Sequence, residues 1–272
     1  MKIFAIRDEE ESVQKDLAYL IYYEQEKQFY IELPTDADEW ETPLLLSSFV
    51  KRGKRTVNAY WSKLWVQQRI VPTDRQNLGQ ILKENGLAEY DEFSLLMLAE
   101  GRCAQDSYYL APISKDELPE DFSQRYKEKV EDIIPLSGHS LLVFFRDGLV
   151  RKCSVETLLK GRAFSSSPIL KDEKVFSSVS VQTGGYGVCW GESLTIDDHT
   201  LYQCGEEVPL TLEDFRRFIS CRIVNTMEAA ELLGCSKQNI EDLIRRDKLH
   251  PVKINARNKL FLKSEILQRK WQ

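Results

Sequence analysis

The stretch Thr226–Leu262, TMEAAELLGCSKQNIEDLIRRDKLHPVKINARNKLFL, decides how this chain is read. Met227, Ala230, Leu232 and Leu233 recur at helical spacing, Thr226 is placed to cap the first N–H groups, and Gly234 permits a tight turn. Ser236 then caps a second helix, on which Ile240, Leu243 and Ile244 share one face. Lys237, Gln238, Asn239 and Arg245 are left on its polar side or near its ends. Pro251 forbids continuation of the helix. Beyond it, Val252, Ile254, Leu260 and Phe261 flank Asn255-Ala256-Arg257-Asn258, the pattern of a two-stranded hairpin.

Two short helices joined at a glycine, the second opening on polar hydrogen-bonders, have the geometry that enters a major groove. The residues Glu228-Ala229-Ala230, Leu233-Gly234-Cys235-Ser236, Leu243-Ile244, Leu249-His250-Pro251 and Lys253-Ile254 resemble the excisionase and MerR-like winged helix-turn-helix family. The resemblance covers about the last fifty residues. It implies that the second helix contacts the major groove through Ser236, Lys237, Gln238 and Asn239, and that the wing follows the backbone through Arg257, Asn258 and Lys259. Arg245 and Lys253 complete the candidate DNA-binding set. Asp247 departs from the family, which has glycine at that helix end, where a positive φ is favoured.

Charge supports the assignment. Arg222–Gln272 holds eleven Lys and Arg against six Asp and Glu, whereas the whole chain carries a formal charge of −6. A basic terminal module on an acidic body is the footprint of a phosphate-binding end. Lys237 and Arg257 to Lys259 are assigned to phosphates, and Gln238 and Asn239 to bases, because their amides pair with adenine.

At 272 residues and 42% hydrophobic content the chain has material for more than one domain. No apolar run reaches the length of a membrane span and the start lacks a signal-peptide core, so a cytoplasmic location is expected. The six cysteines form no Cys-x-x-Cys pair and read as reduced, mostly core thiols. Asp197-Asp198-His199 reads as a turn, and no metal, cofactor or catalytic residue is expected.

The expected class is α+β and multi-domain. Residues 1–113 should form a small sheet plus helices: strands over Lys2–Arg7, Leu17–Tyr23 and Gln28–Leu33, then helices over Trp40–Val50, Val57–Ile70, Asp74–Asn85 and Asp91–Ala99. Trp61 and Trp65, four apart, share a helix face and form the candidate core or subunit interface. Residues 114–135 are dense in charge and read as a linker with one central helix. Residues 136–206 open on Leu141–Phe145 and Leu149–Cys153 around Asp147-Gly148, a pair favoured in type I′ turns. A short helix over Val155–Lys160 ended by Gly161, a second hairpin around Thr183-Gly184-Gly185 and Leu201-Tyr202 follow. Phe145, Asp147-Gly148, Phe176, Val179, Gly185, Trp190 and Leu201-Tyr202 with Gly205 resemble a bacterial family of small α+β domains of unknown function. The Thr183–Gly187 stretch is a glycine turn and not a phosphate loop, because strand residues follow where a helix N-terminus would be required. Residues 207–222 form a connecting helix, and residues 223–272 the winged helix-turn-helix.

The function this reading expects is that of a bacterial or phage sequence-specific transcriptional regulator. It binds double-stranded DNA as a dimer, with no catalytic activity, and its acidic N-terminal domains oligomerise, sense or recruit a protein partner. Two alternatives stand beside it. One is a protein-interaction adaptor of a toxin–antitoxin or phage-defence system. The other is a nucleic-acid-acting enzyme, with Asp74, Arg75, Arg102 and Asp106 converging in one cleft.

Overall fold

The computed structural model describes residues 1–12, 14–160, 168–191, 194–254, 259–263 and 266. The chain is α+β and falls into two compact units, one of Met1–Asp147 with Arg151–Glu206, the other of Gly148–Val150 with Glu207–Gln272.

The first unit begins with an antiparallel meander, β1 (Lys2–Asp8), β2 (Ala18–Tyr23) and β3 (Gln28–Glu32). These strands form as expected, because runs of β-branched and aromatic residues are bounded by charged turns. The sheet has five strands where the sequence pattern indicates three. Beyond α1 (Leu44–Lys51), β4 (Thr56–Val57) pairs with β3. Following α2 (Ala59–Gln67), α3 (Leu78–Glu84) and α4 (Glu92–Leu98), β5 (Tyr108–Pro112) returns beside β1, in the order β4-β3-β2-β1-β5.

Alternation sends Phe4, Ile6, Leu20, Phe29 and Ile31 to one face, where they pack with Leu46, Trp65, Val66, Leu95 and Leu96 of the helices. Ile3, Ala5, Tyr19 and Ile21 go to the other, against Leu118 and Phe122. The sequence reading of these strands as alternating apolar and polar residues is corrected here: the sheet is covered on both faces, and its strands are nearly continuously buried. Trp65, 1% exposed, belongs to the core, whereas Trp61 is 41% exposed, so the two rings sit at different depths. Spacing sets direction on a helix but not depth.

Residues 114–135 are not a bare linker. They hold α5 (Glu120–Lys127), which buries Phe122, and most of β6 (Val130–Leu136). β6 pairs with β7 (Ser140–Phe145), and β8 (Val150–Ser154) follows β7 in the sheet order. The Asp147-Gly148 connection is not type I′: Gly148 has φ +90°, but Asp147 is not among the residues of positive φ, which that turn also requires. After α6 (Val155–Leu159) and α7 (Glu173–Phe176), β9 (Ser180–Val181), β10 (Gly187–Trp190) and β11 (Leu194–Asp197) form a second small sheet. Gly161, the expected end of α6, lies outside the described residues.

The turn Thr183–Gly185 shows why this chain needs glycine there. Gly185 has φ +78°, and a Cβ on it would lie 2.3 Å from the Val130 carbonyl oxygen. It is a packing turn, as its sequence indicates. The first unit closes with α8 (Asp198–Cys204), N-capped by the Asp197 carboxylate, and ends within β12 (Glu206–Glu207). Among the five cysteines whose side chains are described only Cys153 is buried, which corrects the expectation of mostly core thiols. Among the described residues no helix is long and apolar enough to cross a membrane.

The second unit contains α9 (Leu212–Arg222), started by a capping box between Thr211 and Asp214. β13 (Ile223–Asn225), α10 (Thr226–Leu233), α11 (Lys237–Arg245), β14 (Lys253–Ile254) and β15 (Lys259–Leu262) follow. The sheet order is β13-β15-β14, so the hairpin gains a third strand from the segment preceding α10. The core is Val224, Ala229, Ala230, Ile240, Leu249, Phe261 and Ile266.

Candidate nucleic-acid interface

Helix α10 is capped by Asn225, not Thr226. The Asn225 Oδ1 accepts from the backbone N–H groups of Met227 (2.8 Å) and Glu228 (3.1 Å), and Glu228 reaches back to the Asn225 N–H at 2.8 Å. Asn225 also ends β13, so one residue turns the chain from strand to helix. Met227 is exposed, and Ala229 beside Ala230 supplies the buried stripe instead. Gly234 closes the helix in the left-handed conformation, with the Cys235 N–H donating to the Ala230 carbonyl at 3.0 Å.

Ser236 starts α11 as expected, its Oγ accepting from the Asn239 N–H at 3.3 Å. At the other end Asp247 has φ +55°. The Asp247 N–H donates to Ile244 (2.9 Å) and the Lys248 N–H to Leu243 (2.8 Å), a closed Schellman motif. Asp247 therefore adopts the left-handed backbone for which glycine is the favoured residue, and the helix stops with its last carbonyls paired.

Burial of Ile240, with Leu243 and Ile244 packed beside it, fixes the rotation of α11. At 100° per residue the centre of the outward face falls to Gln238, Asp242 and Arg245, with Lys237 and Glu241 on one flank and Asn239 on the other. Ser236, Lys237, Gln238, Asn239 and Arg245 are exposed. Among the described residues, the side chains of Lys237, Gln238 and Asn239 engage no hydrogen-bond or ion-pair partner. Arg245 pairs with Asp242 at 2.9 Å. Lys253 is exposed on β14, whereas Lys259 is bonded to Glu241 of α11. Arg257 and Asn258 lie outside the described residues.

Sequence reasoning missed the two carboxylates of this helix, Glu241 and Asp242, because it sorted the polar face by capacity to donate. It also missed a buried charge cluster in the first unit. Glu32 and Lys129 are buried, and the Lys129 ammonium bonds to Glu32 (3.2 Å) and Asp198 (2.9 Å) while lying 4.0 Å from the Tyr186 ring centroid. Arg125 reaches the second Glu32 oxygen at 2.6 Å. Tyr186 stacks on Tyr30 at 3.8 Å, and complete burial holds its phenol well above the usual range. Lys129 and Arg125 face Glu32 and Asp198, and the cluster extends to Asp121, 3.6 Å from Arg125, and to the Thr56 hydroxyl, which donates to Glu32.

Asp74, Arg75, Arg102 and Asp106 are not bonded to one another among the described residues. Arg102 pairs with Glu9 and Glu100, Asp106 with Arg69 at 2.5 Å, and Arg75 with Asn77 at 3.1 Å. A cleft of about 350 Å³ is lined by Tyr22, Phe29, Tyr90 and Phe93 together with Lys27 and Lys63. Both lysines are already paired, with Asp91 at 3.6 Å and Glu92 at 3.4 Å, which leaves the cleft without an uncompensated charge from either.

Compared with known proteins, residues 224–272 match the family model of a helix-turn-helix domain. No curated protein and no solved structure matches the chain. The match takes in all but the first residue of β13, both helices, β14 and β15, and does not extend to the first unit, so the resemblance of residues 136–206 to a small α+β domain of unknown function is not supported by it.

Proposed function

We propose that the chain is a sequence-specific, non-enzymatic DNA-binding transcriptional regulator whose second unit lays α11 in the major groove of double-stranded DNA. The observation that carries this reading is the exposed start of α11. Lys237, Gln238 and Asn239 project from a helix whose rotation is fixed by Ile240, and none of the three is consumed within the described residues. Lys237 then neutralises a phosphate, and the two amides read bases. Lys253 adds positive charge on the hairpin, which serves as the wing, and Arg245 lies on the outward face of α11 paired with Asp242. One module of this size buries limited surface, so specific binding uses a dimer on two half-sites.

The test is a mobility shift with duplexes from the chain's own locus across a range of salt. The wild-type chain should bind with a steep salt dependence. Gln238→Ala with Asn239→Ala should lower affinity for the preferred duplex by about 10–100-fold, as loss of about 1–3 kcal/mol of base discrimination requires, while non-specific binding changes little. Equal losses on every duplex would remove these residues from base readout.

A protein partner is the second reading. Phe218, Ile219 and Met227 expose apolar surface in the second unit, where the carboxylates of Glu241 and Asp242 are paired with Lys259 and Arg245. Absence of any duplex binding, together with co-purification of a partner lost on Phe218→Ser with Ile219→Ser, would favour it.

A further inference from the structure

We propose that Lys259 is not a phosphate contact but a positioning residue, which with Glu241 forms a strut holding the β14–β15 hairpin against α11. The inference rests on the DNA-binding reading above and assigns the hairpin a specific mechanical role in it.

Strand periodicity points Lys259 inward. Successive side chains of a strand leave opposite faces, so Lys259 shares a face with Phe261. Phe261 is fully buried in the core beside Ile240. A lysine on that face and two residues nearer the hairpin turn has its stem along the domain and its ammonium at the α11 edge. Glu241 stands on the flank of α11, one position after the buried Ile240, and accepts from the Lys259 Nζ. The Lys259 side chain is 25% exposed and that of Glu241 46% exposed, so the pair is half-sheltered and joins two elements.

The charge consequences follow. A phosphate contact strengthens binding at low salt by releasing a condensed counterion, which requires an uncompensated cation. Paired with Glu241, Lys259 presents no net charge. On this arrangement the hairpin's phosphate contacts come from other residues, of which Lys253 is the exposed described cation on β14.

Binding of the full-length chain to a duplex it selects from a random-sequence library, measured by fluorescence anisotropy over a salt series, tests the proposal. The variants are Lys259→Met, Glu241→Gln, the double variant, and Lys237→Met as a comparison. Lys259→Met should weaken binding about 3–10-fold at every salt concentration and leave the slope of log K against log salt unchanged, whereas Lys237→Met should lower that slope by about 1. Lys259→Met should add little to Glu241→Gln, since each alone breaks the strut. A slope lowered by about 1 in Lys259→Met, or additive effects of the two substitutions, would overturn it.

A second arm needs no DNA. Amide exchange at Phe261 and Leu262 in the free chain should speed up equally in Lys259→Met, Glu241→Gln and the double variant. Unchanged exchange in all three would also reject the strut. If the wild-type chain binds no duplex, the DNA reading fails, and the exchange arm still decides whether the strut exists.

Discussion

Lys129 is the residue on which the energetics of the first unit turn. Its ammonium is shared between Glu32 and Asp198 in a buried setting, with the Tyr186 ring as a third wall. Taking charges out of water is expensive, so such a cluster adds little net stability while complete and is strongly destabilising when one partner is lost. Lys129→Met leaves two buried carboxylates with one cation, Arg125, and should cost about 3–5 kcal/mol, read as a lowered urea midpoint. Adding Glu32→Gln should recover part of the loss, and a double variant as unstable as the sum of both singles would show that the pair does not interact. None of this was legible in the sequence. Lys129 sits in the charge-dense run Lys127-Glu128-Lys129-Val130-Glu131, and nothing local distinguishes the lysine that will be buried from the one left in solvent. The partner is 97 residues earlier for Glu32 and, for Asp198, 69 later, distances no periodicity spans.

At the scale of elements, helices and strands that carry their own punctuation were legible. α10 and α11 follow from Gly234, Ser236 and the 3.6-residue apolar spacing, and β1 to β3 lie where the sequence reads as strands, although the alternation read there gives way to burial on both faces. The elements missed depend on a distant partner. β5 is an edge strand ending in Pro112, beside β1 a hundred residues earlier, and β6 hides its Ile133-Ile134 among acids. The α10 cap was misplaced by one residue because threonine and asparagine both cap well, and only the backbone shows which of them is extended. Asn225 has φ −84° and ψ 177°, and its side chain takes two N–H groups. Asn225→Ala should therefore destabilise the second unit by about 1 kcal/mol, seen as faster amide exchange through α10. Thr226→Ala, at the first helical position, should stay within about 0.5 kcal/mol of wild type. The opposite ranking would return the cap to Thr226.

For the molecule as a whole, charge and cores divide along the same line. The acidic first unit is built around its covered five-stranded sheet, and the basic end around Ile240 and Phe261, with no residue common to the two cores. Units with separate cores unfold separately unless a large apolar contact couples them, so denaturation should not be a single two-state event. Four of the five tryptophans, Trp65 and Trp190 buried among them, belong to the first unit, so in a Trp271→Phe background fluorescence reports that unit's unfolding. In urea, Lys129→Met should shift the fluorescence midpoint strongly and leave amide exchange in α10 and α11 unchanged. Asn225→Ala should do the reverse. On the proposed DNA-binding reading, damage in either half is tolerated independently: Lys129→Met should still bind duplex below its lowered midpoint, with an unaltered salt slope, because the cations proposed to meet phosphate belong to the other unit. If both variants instead move both signals together, the chain folds as one cooperative body, and the state of the buried Glu32–Lys129–Asp198 cluster is then thermodynamically linked to the presentation of α11.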